Sequence, residues 1–189
     1  MEPLKLMIRA LRIGGVNLRL IYWVIFVIIV ISLVVTGCTK NNESIIEKIQ
    51  REFPADFKNE GIIHAEIMGN GLLIFFKSNN GVGAGFFKQQ SDNWDWVTGT
   101  GYASFSPDAG LSISHSNSDE NSLYFSYGVI TNPDIFEVQS MGDRAKIVQM
   151  SIGTRIWFIT YEKSIGQAGF LPQIRGLSKE GEQIVTIPD

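Results

Sequence analysis

Hydrophobic positions in this chain follow two different patterns. An unbroken run of uncharged, mostly apolar residues spans positions 20–39, between Arg19 and Lys40. From Gly61 onward, apolar and polar residues instead alternate in short stretches separated by Asn, Asp, Gly, Ser or Pro. A long apolar run is typical of a segment that enters a membrane, and alternation is typical of β-strands. The chain therefore predicts an N-terminal membrane segment followed by a β-rich domain.

A short helix is predicted just before the β-rich part. Ser44 and Glu47 fit a capping box, and apolar residues then recur at helical spacing from Ile45 to Phe53, before Pro54 ends the element. We expect the apolar face of this helix to pack on the sheet that follows.

The β-rich part predicts a mainly β, antiparallel, β-sandwich-like fold. Hairpin signals occur at Gly69-Asn70-Gly71 and Asn79-Asn80-Gly81. The adjacent pairs Phe75-Phe76 and Phe86-Phe87 point to both faces of a sheet and suggest that one face is covered by the helix or by another sheet. Ser114–Ser122 is predicted to be a loop, where any division into two sheets falls. The later strand candidates are Trp94–Thr98, Leu111–His115, Leu123–Val129, Ile135–Gln139, Lys146–Ile152, Arg155–Tyr161 and Ile184–Ile187.

The flank of the apolar run fixes an orientation. Four basic residues and one acidic residue precede position 20. A basic flank stays in the cytoplasm, so the chain after Lys40 is expected on the outer side of the cell membrane. Twenty residues reach about 30 Å as a helix, the thickness of the hydrocarbon core.

The apolar run ends in Val35-Thr36-Gly37-Cys38, which resembles the lipobox of bacterial lipoproteins, and the chain resembles uncharacterised Gram-positive, Bacillus-like members of that class. The resemblance implies a lipid on Cys38 and cleavage before it. The alternative is an uncleaved signal anchor, in which a helix over 20–39 holds the protein. Either anchor predicts a membrane partner and an extracytoplasmic location at the cell membrane.

Three segments follow from these patterns. They are a signal peptide or signal anchor over 1–37, a tether with a short helix over 38–60, and a β-rich extracytoplasmic domain over 61–189. The last third resembles the immunoglobulin-like β-sandwich tails of the same lipoproteins, in residues that include Val138 and Trp157-Phe158. That resemblance implies a fold and no particular chemistry.

Composition and motifs exclude several function classes. After residue 37 the chain has 12 basic and 18 acidic residues, which disfavours nucleic acid as a partner. One cysteine allows no internal disulfide and no cysteine-based zinc site. His64 is expected to face solvent, and His115 to be a hydrogen-bonded residue at a strand end. Gly81–Gly85 lacks the following helix of a dinucleotide loop, so we do not interpret this segment as a cofactor site. We predict no catalytic residue, no metal and no cofactor for this chain.

An aromatic cluster supplies the candidate ligand site. Trp94 and Trp96 are expected to share one strand face, with Asp95 on the other. Exposed indoles stack on sugars or anchor proteins, whereas buried ones form core. We therefore expect a binding lipoprotein, with an envelope protein or wall glycan as partner. The alternatives are a wall carbohydrate-binding module at these residues and an envelope hydrolase with an acid pair such as Asp92 and Asp95.

Overall fold

The computed structural model describes residues 22–23, 25–28, 43–57, 61–91, 93–151, 153–165 and 172–187. The chain divides into two compact units, Met1–Ser44 and Ile45–Asp189. Within the first unit, the described residues 22–23 and 25–28 are helical, and the predicted lipobox with Cys38 lies outside the described residues. Among the described residues, no helix combines the length and the apolar character needed to span a membrane.

The second unit begins with two short helical elements and continues in strands. The helical elements are α1 (Ile45–Glu52) and the 3-10 helix η1 (Ala55–Phe57). The strands are β1 (Gly61–Met68), β2 (Gly71–Lys77), β3 (Val82–Gln90), β4 (Asn93–Ala103), β5 (Ser114–Ser118), β6 (Leu123–Ile130), β7 (Glu137–Ser140), β8 (Asp143–Arg144), β9 (Lys146–Ser151), β10 (Thr154–Tyr161), β11 (Ile174–Leu177) and β12 (Gln183–Ile187).

These strands form three antiparallel sheets of four strands each. Sheet A has the order β1-β2-β3-β4, sheet B has the order β5-β6-β10-β9, and sheet C has the order β12-β11-β7-β8. Sheet A is a meander, because each strand pairs with the next one along the chain. The predicted fold class, mainly β and antiparallel with a short N-terminal helix, is confirmed.

The sheets stack in layers, and each gap between layers holds one apolar core. Leu73 and Phe86 of sheet A meet Phe125 and Phe158 of sheet B. On its other face, sheet B meets sheet C around the buried Trp157. Sheets A and B are therefore covered on both faces, which explains the nearly continuous apolar runs in β2, β3, β6 and β10.

Helix α1 covers the outer face of sheet A, as predicted. Its amphipathic face places Ile49 and the following Phe53 against Ile74, Phe76 and Phe87. Phe53 forms ring contacts with Phe76 at 5.5 Å and with Phe87 at 5.3 Å between centroids. The helix thus belongs to the folded domain rather than forming a separate stalk.

Four local predictions differ from the structure. The loop predicted over Ser114–Ser122 is confirmed for the turn at 119–122 but wrong for Ser114–Ser118, which form the edge strand β5 with serine at every second position. The strand predicted over Leu111–His115 is wrong as a unit, since Leu111 forms only an isolated bridge with Ile130. Strands β8 and β11 were not predicted, because they are short and mostly polar or interrupted by glycine.

The last third of the chain supplies strands to two sheets. β9 and β10 join sheet B beside β5 and β6, while β7, β8, β11 and β12 make sheet C. Sheets B and C pack face to face. The sandwich at this end therefore also requires strands from the middle of the chain.

Candidate functional site

An open groove of about 760 Å³ lies beside the end of β1. Its walls come from all three sheets and from the segment after β10. Charged side chains of both signs line it together with apolar ones: Glu66, Asp143, Arg144, Lys146, Glu162, Lys163, Ile67, Met68, Met141, Phe158, Ile159 and Ile165. Such a mixed lining suits binding of a partner with both polar and apolar groups.

An ion pair between two sheets lines this groove. Glu66 lies near the end of β1, and Lys146 is the first residue of β9, so the pair joins the edge strands of sheets A and B. The Nζ of Lys146 donates a hydrogen bond to Oε1 of Glu66. The side chain of Glu66 is 23% exposed and that of Lys146 is 65% exposed. The carboxylate is thus sheltered while the ammonium reaches solvent.

His64 extends the cluster on the inner side. Its Nε2 lies 3.4 Å from Oε2 of Glu66, and its ring lies 6.2 Å from the Phe75 centroid and 5.6 Å from that of Phe158. Its side chain is 28% exposed. The prediction of a solvent-facing His64 is therefore wrong. A bulge between Ile62 and His64 shifts the register of β1, and the imidazole faces sheet B.

The aromatic wall also contacts the lysine. The Nζ of Lys146 lies 5.9 Å from the ring centroid of Phe158, within the range of a cation–π interaction. Phe158 in turn lies 4.9 Å from Phe75, so the ring is held by the core. The Lys146 ammonium is positioned by a carboxylate on one side and by a fixed aromatic face on the other.

These contacts set the protonation of Glu66. The hydrogen bond from Lys146 lowers the pKa of the Glu66 carboxyl below 4.5, burial opposes it, and the His64 contact lowers the pKa further. The carboxyl is therefore an anion at neutral pH. An anion with a lowered pKa is a poor proton donor, and its natural role is electrostatic.

A second charged network lies on the outer face of sheet C. The Nε of Arg144 is 3.1 Å from Oε1 of Glu137, and an Nη of Arg175 donates to Oε1 of Gln139 at 3.1 Å. Gln139 also donates to Glu137. Arg144 lines the groove, so this network connects the groove to the outer surface of sheet C.

Trp94 and Trp96 lie on the same face of β4, toward α1. The Trp96 ring stacks on Phe57 at 5.7 Å and contacts Phe53 at 5.6 Å and Phe87 at 5.1 Å. A Cβ on Gly85 would lie 2.3 Å from this indole, which explains a glycine there and supports the reading of Gly81–Gly85 as strand rather than cofactor loop. Trp96 is enclosed by rings rather than presented on a flat platform.

The other predicted residues are dispersed. Trp94 is half-buried and lines a second hollow, which shares Ile67 with the groove, and Asp95 is exposed. His115 is the second residue of β5, near the strand end as predicted, and its side chain is exposed. Asp92 and Cys38 lie outside the described residues. The described part of the chain holds no cluster of three or more histidine, cysteine, aspartate or glutamate residues that could bind a metal.

The chain matches no protein family model, no curated protein and no solved structure. The groove therefore has to be interpreted from its own residues. Its central pair, Glu66 and Lys146, is 80 positions apart in sequence, and sequence reasoning missed it. The one available signal was the shared strand face of His64 and Glu66.

Proposed function

We propose that this protein is a lipoprotein anchored on the outer face of the cell membrane, and that its β-rich domain binds an envelope partner. One observation supports the anchor. A basic N-terminus is followed by a 20-residue uncharged run, and near the end of this run lies Val35-Thr36-Gly37-Cys38, which contains the chain's single cysteine. A lipid on Cys38 and cleavage before it account for this arrangement, and two acyl chains suffice for stable anchoring.

The groove supports binding as the role of the domain. Three cations and three carboxylates surround an apolar rim, and Glu66 is held as an anion by Lys146. Charges fixed in this way give a partner orientation and register. The rim residue Met141 is 71% exposed, and methionine adapts its shape to different partners.

The anchor is tested by the mass of the N-terminal peptide of protein isolated from membranes. A peptide that begins at diacylglyceryl-modified Cys38 in the native protein supports the proposal. The Cys38→Ala variant should lack this peptide. An unmodified peptide that retains Met1–Gly37 would show a signal anchor instead.

The groove is tested by photo-crosslinking in intact membranes. A photoreactive residue at Met141 is compared with one at Phe136, which is 61% exposed and does not line the groove. A discrete crosslinked species from position 141, absent from position 136 and lost with Lys146→Met, supports the proposal. Equal crosslinking from both positions, or a product unaffected by Lys146→Met, contradicts it.

A further inference from the structure

An uncharged hollow of about 420 Å³ lies between α1 and one end of sheet A. Ile45, Ile67, Leu72 and Trp94 form its apolar walls, and the turn Gly69-Asn70-Gly71 forms part of its rim. None of the nine described residues that line it carries a charge. Its chemistry thus differs from that of the groove, where six lining residues are charged.

Apolar side chains around this hollow are unusually exposed. Ile67 is 79% exposed, Ile45 is 56% exposed and the adjacent Ile46 is 42% exposed. Isolated exposed apolar residues are ordinary, but several around one uncharged hollow mark an interaction surface. Trp94 adds an indole, a side chain enriched where protein meets the headgroup region of a bilayer.

The short sequence distance between the hollow and Cys38 points to a bilayer as its occupant. Ile45 is the first residue of α1, and only seven residue steps separate it from Cys38. Seven residues span at most about 25 Å when fully extended. A lipid on Cys38 therefore keeps this end of the domain within a short distance of the bilayer, at a high effective concentration.

We propose that the hollow and its isoleucine rim are the surface through which the domain rests on the bilayer that anchors it. This inference rests on the proposed lipid anchor and adds an orientation to it. Ile45, Ile46, Ile67 and Trp94 enter the interfacial region, and burial of their apolar area supplies the favourable free energy. The domain then has a fixed face toward the membrane instead of swinging freely.

The test uses the mature protein, cleaved before Cys38, acylated on that residue and reconstituted in phosphatidylcholine vesicles with brominated acyl chains. A fluorophore is attached to the thiol introduced by Ile67→Cys, with Ile184→Cys as the matched control. Ile184 is also an exposed isoleucine, but it lies on β12 of sheet C. Since an interfacial residue enters the bilayer by about 5–10 Å, the label at position 67 should be quenched at least about twofold more than that at 184.

The outcomes separate the two proposals. Equal quenching at both positions, in protein that stays on the vesicles, overturns the docking surface and leaves the anchor intact. Protein that carries no lipid on Cys38 contradicts the anchor itself. Disulfide formation between two unlabelled copies of the Ile67→Cys variant on addition of an oxidant, with no lipid quenching of the labelled variant, assigns the hollow to a second copy and also overturns the inference. Ile45→Ser with Ile46→Ser should reduce quenching at position 67 while the protein remains anchored.

Discussion

Lys146 reaches across from sheet B to donate a hydrogen bond to Glu66 on the edge strand of sheet A. The two residues are remote in sequence, and their contact joins strands that lie at matching edges of two stacked sheets. The pair thereby joins these two edges and fixes a carboxylate and an ammonium in the lining of the groove.

Acid should weaken this contact. Because the pKa of Glu66 is lowered in the folded state, its contribution to the free energy of unfolding is present above pH 4.5 and is lost as the pH falls through the folded value. Glu66→Gln should therefore flatten the dependence of stability on pH below about 4.5. Urea unfolding at a series of pH values measures this. An unchanged pH dependence would contradict the assignment.

A double-mutant cycle measures the strength of the same pair. Glu66→Gln, Lys146→Met and the double variant should give a coupling free energy of about 0.2–1 kcal/mol, because the Lys146 side chain remains largely in solvent. The coupling should decrease at high salt, since solvent-exposed charges are screened. Zero coupling at low salt would mean that the contact has no energetic role.

A substitution at Gly128 tests how closely sheet B packs against the segment that precedes β5. A Cβ at position 128 would lie 1.7 Å from the carbonyl oxygen of Ser112 and 2.5 Å from Nε1 of Trp157, and that indole donates to the Ser112 carbonyl at 3.1 Å. Gly128→Ala should lower the free energy of unfolding by about 3 kcal/mol, since both neighbours must move. Chemical denaturation measures the loss.

The matched control is Gly101→Ala. Gly101 lies in β4, and an added Cβ there meets nothing within 4 Å. The free energy of unfolding of the Gly101→Ala variant should differ from that of the native protein by no more than about 0.5 kcal/mol. Similar losses at positions 101 and 128 would point to a general effect of strand glycines and contradict the close approach.

Tyr127 connects sheets A and B from within their shared core. Its hydroxyl donates to the carbonyl of Gly101 and lies within hydrogen-bond distance of Oγ1 of Thr100. Tyr127→Phe should cost about 1–2 kcal/mol, because Tyr127 is fully buried and its loss of the hydroxyl removes both of these hydrogen bonds. Tyr124→Phe is the control, since Tyr124 lies on the same strand and its hydroxyl donates to Asp119 in solvent. A loss from Tyr124→Phe equal to that from Tyr127→Phe would contradict the burial argument.

The docking of α1 depends on Phe53. Its side chain is 2% exposed and contacts Phe76, Phe87 and Trp96. Phe53→Ala should cost about 3 kcal/mol and shift tryptophan emission to longer wavelength, because the Trp96 ring gains contact with water. Ile46→Ala, at a position 42% exposed on α1, should leave both properties nearly unchanged. Unaltered emission in the Phe53→Ala variant would mean that Phe53 does not shield the Trp96 ring from water.

Local patterns in the sequence were sufficient for the covered sheet but not for the groove. Phe75 and Phe76 are adjacent and point to opposite faces, so this pair indicated a sheet with apolar residues on both faces, and the structure places each residue in a different core. The facing of His64 could not be predicted, because a bulge in β1 changes the register without changing the residue pattern. Strand β5 was not predicted, because its sequence has serine at every second position and no apolar residues, a composition typical of a loop. The pairing of Glu66 with Lys146 depends on how the sheets stack, and no local pattern records that.

The order of the strands along the chain also determines when the inner face of sheet A can be covered during synthesis. Sheet A is complete in the nascent chain once Ala103 has been made, but the strands that cover its inner face end as late as Tyr161 in β10. About 60 further residues must be added first, which takes roughly 3–12 s at ordinary elongation rates. If sheet A pairs before β10 is made, Leu73, Phe75 and Phe86 face water throughout that interval. Aggregation competes with folding most strongly then, so holding chaperones have their greatest effect on this chain before its C-terminal third emerges.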